Sequence, residues 1–316
     1  MRSHASVLLF ALLAAGCTEQ EAPPLRTRAE AIPKDAVKAT PETDPTPPIL
    51  HSDEWEAPVP LPAPVNTAGA EDSVYVLPDG NTLYFCFVAD PRMPPEKQLF
   101  DGASGIWVSH RVDGRWQEPE RVVLQDKGEL SLDGCACVQG GTLWFGSARK
   151  GNIRGVDLWT AEWKEGKWAD WRNAGKTLNV DYEAGEMHIT ADGKEMYFHS
   201  ERAGGKGGMD VWHTRLGDAG WEPPTNVAAV NSADSEGWPF LTPDGGELWF
   251  LRWYKGTPAI FRSRKAEDGW SAPEMILSQF AGEPTLDAEG NLYFIHHFIK
   301  DGKVSEADIY VARRKK

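Results

Sequence analysis

Aromatic pairs punctuate the sequence at Tyr84-Phe85, Trp144-Phe145, Tyr197-Phe198, Trp249-Phe250 and Tyr293-Phe294, and the residues that could do chemistry stand at set distances ahead of them. Counting back from each pair gives Ser73, Asp133, Glu186, Trp238 and Glu283. The next position on the same strand face is Tyr75, Cys135, His188, Phe240 and Thr285, with Glu71, Asp72, Glu183 and Glu236 on the entering loops. Carboxylates from separate segments beside a tryptophan suit three uses. They can bind a cation, a basic peptide or a sugar, with Trp238 as a stacking face. They can act as acid and base or nucleophile on a glycoside, which requires carboxyl groups about 5 to 9 Å apart. In the third and plainest reading they are loop residues, solvated or bonded to backbone amides. The binding reading selects Asp133, Glu186, His188, Trp238 and Glu283.

Other chemistry finds little support. Asp133, Cys135, Glu186 and His188 include metal-ligating types, but a histidine on a buried strand face is more often simply packed. His296 and His297 alternate across a strand and cannot point at one ion together. The sequence holds no Gly-x-Ser-x-Gly elbow, phosphate loop, His-Glu-x-x-His or Cys-x-x-Cys. No metal, cofactor or catalytic residue is therefore expected. The glycines from 204 to 208 precede a strand rather than a helix, so a turn is expected there and not a phosphate cradle.

A repeat must position the selected residues. Each aromatic pair follows a turn, at Asp79-Gly80, Gly140-Gly141, Asp192-Gly193, Asp244-Gly245 or Gly290, and Asp-Gly between alternating runs is a hairpin signal. A third strand follows at Ile106-Trp107, Leu158-Trp159, Val211-Trp212, Ile260-Phe261 and Ile309-Tyr310. A fourth follows at Trp116, Trp168, Trp221 and Trp270. The pairs recur at roughly 44 to 60 residues, the range of four-stranded propeller blades. The pattern predicts an all-β chain over residues 55–316, a single five-bladed β-propeller in which equivalent inner-strand positions ring a central channel. The last unit lacks a fourth strand, whereas Trp55-Glu-Ala-Pro58 copies that pattern. Residues 55–62 are therefore expected to pair antiparallel with 306–313, closing the last blade with an N-terminal strand.

SERAGGKGGMDVW at 200–212 and NSADSEGWPFLTPDGGELWF at 231–250 resemble the TolB-like class of WD-like propeller repeats, in which a Pro-Asp-Gly turn precedes a Leu-Tyr-Phe strand. The resemblance covers about residues 55 to 316. The second unit departs from it with Gln139-Gly140 in place of Asp-Gly, and the fifth is short by a residue near Ala288. The resemblance implies a propeller fold in a bacterial envelope and no catalytic residue.

The N-terminus fits that setting. Residues 1–17 place Arg2 ahead of an apolar run and end in Leu13-Ala-Ala-Gly-Cys17, similar to a bacterial lipobox whose cysteine is acylated. Thr18 resembles the residue after the cysteine in lipoproteins sent to the outer membrane. Residues 18–54 carry seven prolines and no aromatic before Trp55, which predicts a disordered tether. A net charge of −14 argues against nucleic acid or anionic lipid as partners. Apart from Cys17 there are three cysteines, an odd count that leaves open a bond from Cys86 to Cys135 or Cys137, or plain burial of all three. The sequence thus reads as a monomeric, non-enzymatic recognition or scaffolding lipoprotein. It would be lipid-anchored at the outer membrane, facing the periplasm, with an envelope protein or glycan as partner. The runner-up is a glycan-directed hydrolase using channel-mouth carboxylates.

Overall fold

The computed structural model describes residues 22–267 and 269–316. The signal segment and the expected lipid site at Cys17 lie outside the described residues. The regular secondary structure of the described chain is almost wholly antiparallel strand. The first sheet orders Ala70–Val76, Thr82–Val88, Gly105–Val112 and Glu120–Arg121. The second orders Ser131–Gln139, Thr142–Arg149, Asp157–Lys164 and Lys167–Asn173. The third orders Met187–Ile189, Glu195–Ser200, Asp210–Gly217 and Thr225–Asn226. The fourth orders Glu236–Leu241, Glu247–Tyr254, Thr257–Ala266 and Glu274–Ser278. In the fifth, which runs on into the first as one sheet through the parallel pairing of Ala307 with Ala70, Ala281–Leu286, Leu292–Lys300 and Lys303–Ala312 are completed by Val59–Pro60, with Val59 opposite Val311 and Pro60 opposite Tyr310.

Turn chemistry sets the hairpins. Asp192 and Asp244 each accept from the amide two residues on, at 3.0 Å from Lys194 and 2.9 Å from Gly246, while Gly193 and Gly245 take φ values of +72° and +68°. The period of 2 then divides each aromatic pair between two interfaces. Phe85 packs with the fifth sheet's Ile309 and Tyr84 with the second sheet's Leu143. Phe198 faces Leu158 of the second sheet, and Tyr197 faces Leu248 of the fourth. Phe85, Phe145, Phe198, Phe250 and Phe294 are all fully buried, and truncating any one to alanine would cost about 3–5 kcal/mol.

Two expectations need correction. The tryptophans expected to lead the fourth strands, Trp116, Trp221 and Trp270, sit instead in two-residue pairings at the tips of the third-strand hairpins. The outer strand resumes beyond a proline at 119, 224 or 273, which has no amide hydrogen for the ladder. Only in the second sheet does Trp168 lie within the outer strand itself.

The larger correction concerns residues 22–54, which are laid against the sheets. Arg28, 2 % exposed, donates to Glu71 at 3.1 Å and to the Val65 carbonyl at 2.7 Å, and lies 5.4 to 5.6 Å from the rings of Phe85, Phe87 and Trp107. Lys38 pairs with Glu306 and Asp308, His296 with Asp44 at 2.8 Å, and Ile49–Leu50 adds a strand beside Glu274–Ser278. Composition suggested disorder because it counts only apolar area; this segment is held by polar anchors that enter buried acidic positions.

The anchoring gives a test. Arg28→Ala leaves Glu71 with 0 % exposure and no cation, so urea unfolding should show a loss of about 3–5 kcal/mol, partly restored by adding Glu71→Gln. Unchanged stability of Arg28→Ala would show that the segment is not anchored there.

Candidate functional site

The inner strands converge on a cavity of about 50 Å³ lined by Ser73, Cys135, Glu186, Trp238 and Glu283, with Tyr75, His188, Phe240 and Thr285 one pleat further on. Bulges turn most of these side chains. Ser73, Cys135, Trp238 and Glu283 have φ of +48°, +58°, +50° and +57°, and the ladder slips beside each of them. Non-glycine residues enter this region at an energetic cost, so its repetition on four inner strands marks a constrained centre.

Of the residues selected from the sequence, Glu186, His188, Trp238 and Glu283 all line this cavity. Asp133 does not. Its carboxylate is bonded to Ser131 at 2.9 Å, Ser147 at 2.6 Å and Arg149 at 2.6 Å, and Cys135 stands where Asp133 was expected. The cause is turn length. Gln139 pairs directly with Thr142 across a two-residue Gly140-Gly141 turn, so Cys137 opposes Trp144, whereas in the first hairpin Tyr75 opposes Tyr84. The shorter turn moves the register by two residues, preserving the face but shifting the position by one pleat. The four residues considered for a metal are divided by the same shift: Cys135, Glu186 and His188 reach the cavity without Asp133.

The neighbouring acids differ in role. Glu71 pairs with Arg28 and Glu236 with Arg252 at 2.7 Å, while Glu183 is exposed. Asp157 and Asp210, the first residues of their third strands, bind local groups: Asp157 accepts from the Arg154 amide at 3.1 Å and Asn173 at 2.7 Å, and Asp210 from the Gly207 amide at 3.1 Å and Asn226 at 2.9 Å. The glycine cluster is a turn; a Cβ on Gly207 would run into the Asp234 carbonyl. Cys86, Cys135 and Cys137 are free thiols.

Burial governs titration at the centre. It pushes the Glu186 carboxyl up to about 8 and raises Glu283 well above the usual carboxylate range, with Asp72 and Glu186 adding repulsion to Glu283. It also pushes the His188 and His199 imidazoles down to about 4. Trp238 is 8 % exposed and lies 4.9 Å from the His199 ring, so its face is largely covered. Glu186 Oε1, both Glu283 oxygens, Thr285 Oγ1 and Trp238 Nε1 have no hydrogen-bond partner. Sequence reasoning placed Asp72 only on an entering loop and set His297 aside because it alternates with His296; in the structure the Asp72 and His297 side chains stand 3.5 Å apart. No periodic signal joins them, because one is on an inner strand of the first repeat and the other on a strand of the last.

No family model matches the sequence, and no curated relative matches it. Among solved structures, an endo-arabinase from Bacteroides thetaiotaomicron aligns with a TM-score of 0.50 at 13% identity, covering 80% of this chain and 97% of that one. TolB from Acinetobacter baumannii aligns at 0.44 and 16% identity, covering 73% of this chain, which spans about half (50%) of that protein. A TolB-like protein from Agrobacterium tumefaciens, described as a candidate TolB, aligns at 0.45 and 14% identity over 94% of this chain and 90% of its own. The arabinase likeness supports an all-β, propeller-like architecture and says nothing of activity.

The depressed imidazoles give a signed pH dependence. A histidine folded at about 4 and unfolded near 6.5 contributes its full stability above 6.5 and loses it as pH falls through 4. His188→Leu should flatten the loss of urea stability between pH 7 and pH 4 by up to about 3 kcal/mol. An unchanged acid limb would show that His188 is not held neutral.

Proposed function

We propose that this chain is a five-bladed β-propeller recognition protein of the bacterial envelope, closed by its N-terminal strand and anchored through a lipid on Cys17. The observation that carries the reading is a contrast of volumes. The acidic centre offers about 50 Å³, space for water-sized ligands and not for a sugar ring. A cleft of about 1400 Å³ opens elsewhere, between residues 33–45, the loop 89–96 and the hairpin 298–306. Ring closure is supported by the Val59–Pro60 pairing and by an apolar cluster joining Ile309 and Val311 of the fifth sheet to Phe85 and Val74 of the first.

The cleft suits an envelope protein better than a glycan, because its walls mix apolar Pro94 and Phe298 with Arg92, Lys300, Asp90 and Glu96. Polar and charged walls of both signs give selectivity, with salt-dependent association. The hydrolase reading requires carboxylates open to substrate, whereas Glu186 and Glu283 are 8 % and 4 % exposed.

Pull-down from detergent-solubilised envelopes tests the cleft. Arg92→Glu with Lys300→Glu should abolish capture of the partner and leave the thermal midpoint within about 2 °C; retained capture would exclude the cleft. Cleavage of any member of an oligosaccharide panel, lost in Glu186→Gln with Glu283→Gln, would restore the hydrolase reading. Cys17→Ser should move the protein to the soluble periplasmic fraction, and persistence in the membrane would overturn the anchor.

A further inference from the structure

Four buried carboxylates of this protein face a cation. Glu71 has Arg28, Asp133 has Arg149, Glu236 has Arg252 and Asp308 has Lys38. Asp210 and Asp287 have no cation but accept from amides, and near Glu186 stand two acids with neither, Asp72 and Glu283. They are 3 % and 4 % exposed, and among the described residues neither has a lysine or arginine partner. Beside them is His297, 3 % exposed. Asp72 Oδ1, both Glu283 carboxylate oxygens and His297 Nε2 have no hydrogen-bond partner. Isolated charges of this kind are not left buried unless they are neutralised or coordinate an ion.

The geometry suits an ion. One ligand atom from each of Asp72, Glu283 and His297 lies within 4.8 Å of the other two. His297 Nε2 stands 3.5 Å from Asp72 Oδ1, and two ligand atoms at tetrahedral positions about 2.1 Å from a metal lie about 3.4 Å apart. The groups come from three strands: Asp72 from the inner strand of the first sheet, Glu283 from the inner strand of the fifth, and His297 from the strand beside it. Across that seam the ladder is joined in parallel through Ala307 and Ala70. One imidazole with two carboxylates suits zinc or manganese better than calcium, which prefers an all-oxygen shell.

We propose that Asp72, Glu283 and His297 hold one divalent transition-metal ion, of the zinc or manganese class, across the seam between the fifth and first sheets. Glu283 also lines the central cavity, so a remaining coordination position opens toward it and admits water or a small anion. The site goes beyond the recognition reading and does not depend on it, because it lies at the sheet centre and not in the cleft.

The purified protein, stripped with EDTA and returned to chelator-free buffer, is titrated with Co²⁺ and then with Zn²⁺. The expected result is one Co²⁺ per chain with visible ligand-field absorption, lost on displacement by Zn²⁺. Glu283→Gln and His297→Gln should each weaken Zn²⁺ at least roughly tenfold by calorimetry, while Glu183→Gln, on an exposed loop, changes it less than about threefold. Near-UV circular dichroism checks the fold of each variant, and Asp72→Asn replaces any that fails to fold. Absence of Co²⁺ uptake by the wild type would overturn the site. Zn²⁺ affinity undiminished by the ligand substitutions would overturn it too, as would a response confined to Ca²⁺.

Discussion

A cation held between aromatic rings and a buried carboxylate is the interaction on which this architecture depends. Arg149 lies 5.2 Å from the Phe145 ring and 4.8 Å from Trp159 while pairing with Asp133; Arg252 lies 4.6 Å from Phe261 while pairing with Glu236. The rings take part of the charge, worth up to about 2 kcal/mol where water is excluded, and the carboxylate satisfies the rest. The second and fourth sheets carry the cation on their own second strand. The first and fifth do not. At the corresponding positions the first has Phe87 and Val88 and the fifth has His296 and His297, the latter strand's only lysine being Lys300 at its exposed end.

That deficit explains the path of residues 22–54. Arg28 completes the first sheet by entering over Phe85, Phe87 and Trp107, and Lys38 completes the fifth by lying 5.6 Å from Phe298 between Glu306 and Asp308. One cation there faces two buried carboxylates, and burial pushes Asp308 up to about 8 despite Lys38. A related device secures the neighbouring join. Arg262, with no exposed side chain, is shared by Glu54, Glu247 and Glu274, and it lies 5.2 Å from Trp55 and 5.4 Å from Trp249. Trp55 donates to the Gly290 carbonyl at 2.9 Å, so one tryptophan ties the N-terminal strand to the fourth and fifth sheets.

The centre departs from this arrangement, and its inner residues are strained as well as uncompensated. Glu186 and Glu283 approach one another and Asp72 without an arginine, and Glu283 itself sits at positive φ. The cavity between them is too small for the substrates of a glycosidase and of a size for water or a single ion. Likeness of fold to an arabinase therefore does not carry its chemistry to this chain.

Local signals were legible in the sequence. Alternation in the aromatic pairs set which residues face which interface, Asp-Gly placed the turns, and the copied tryptophan pattern placed residues 55–62 beside the last sheet, where Val59 meets Val311. Each of these depends on neighbours a few residues apart, so periodicity alone encodes it. The site was partly legible for the same reason: Glu186, His188, Trp238 and Glu283 follow from counting along hairpins of like length. Asp133 failed because register depends on the number of residues in the turn, and Gly140-Gly141 shortens it. Tertiary structure alone decided the rest. Arg28 meets Glu71, Lys38 meets Asp308 and Asp72 meets His297 across separations that carry no periodic trace. Such pairs are selected by the desolvation of a carboxylate in the folded core, which no local stretch of sequence experiences.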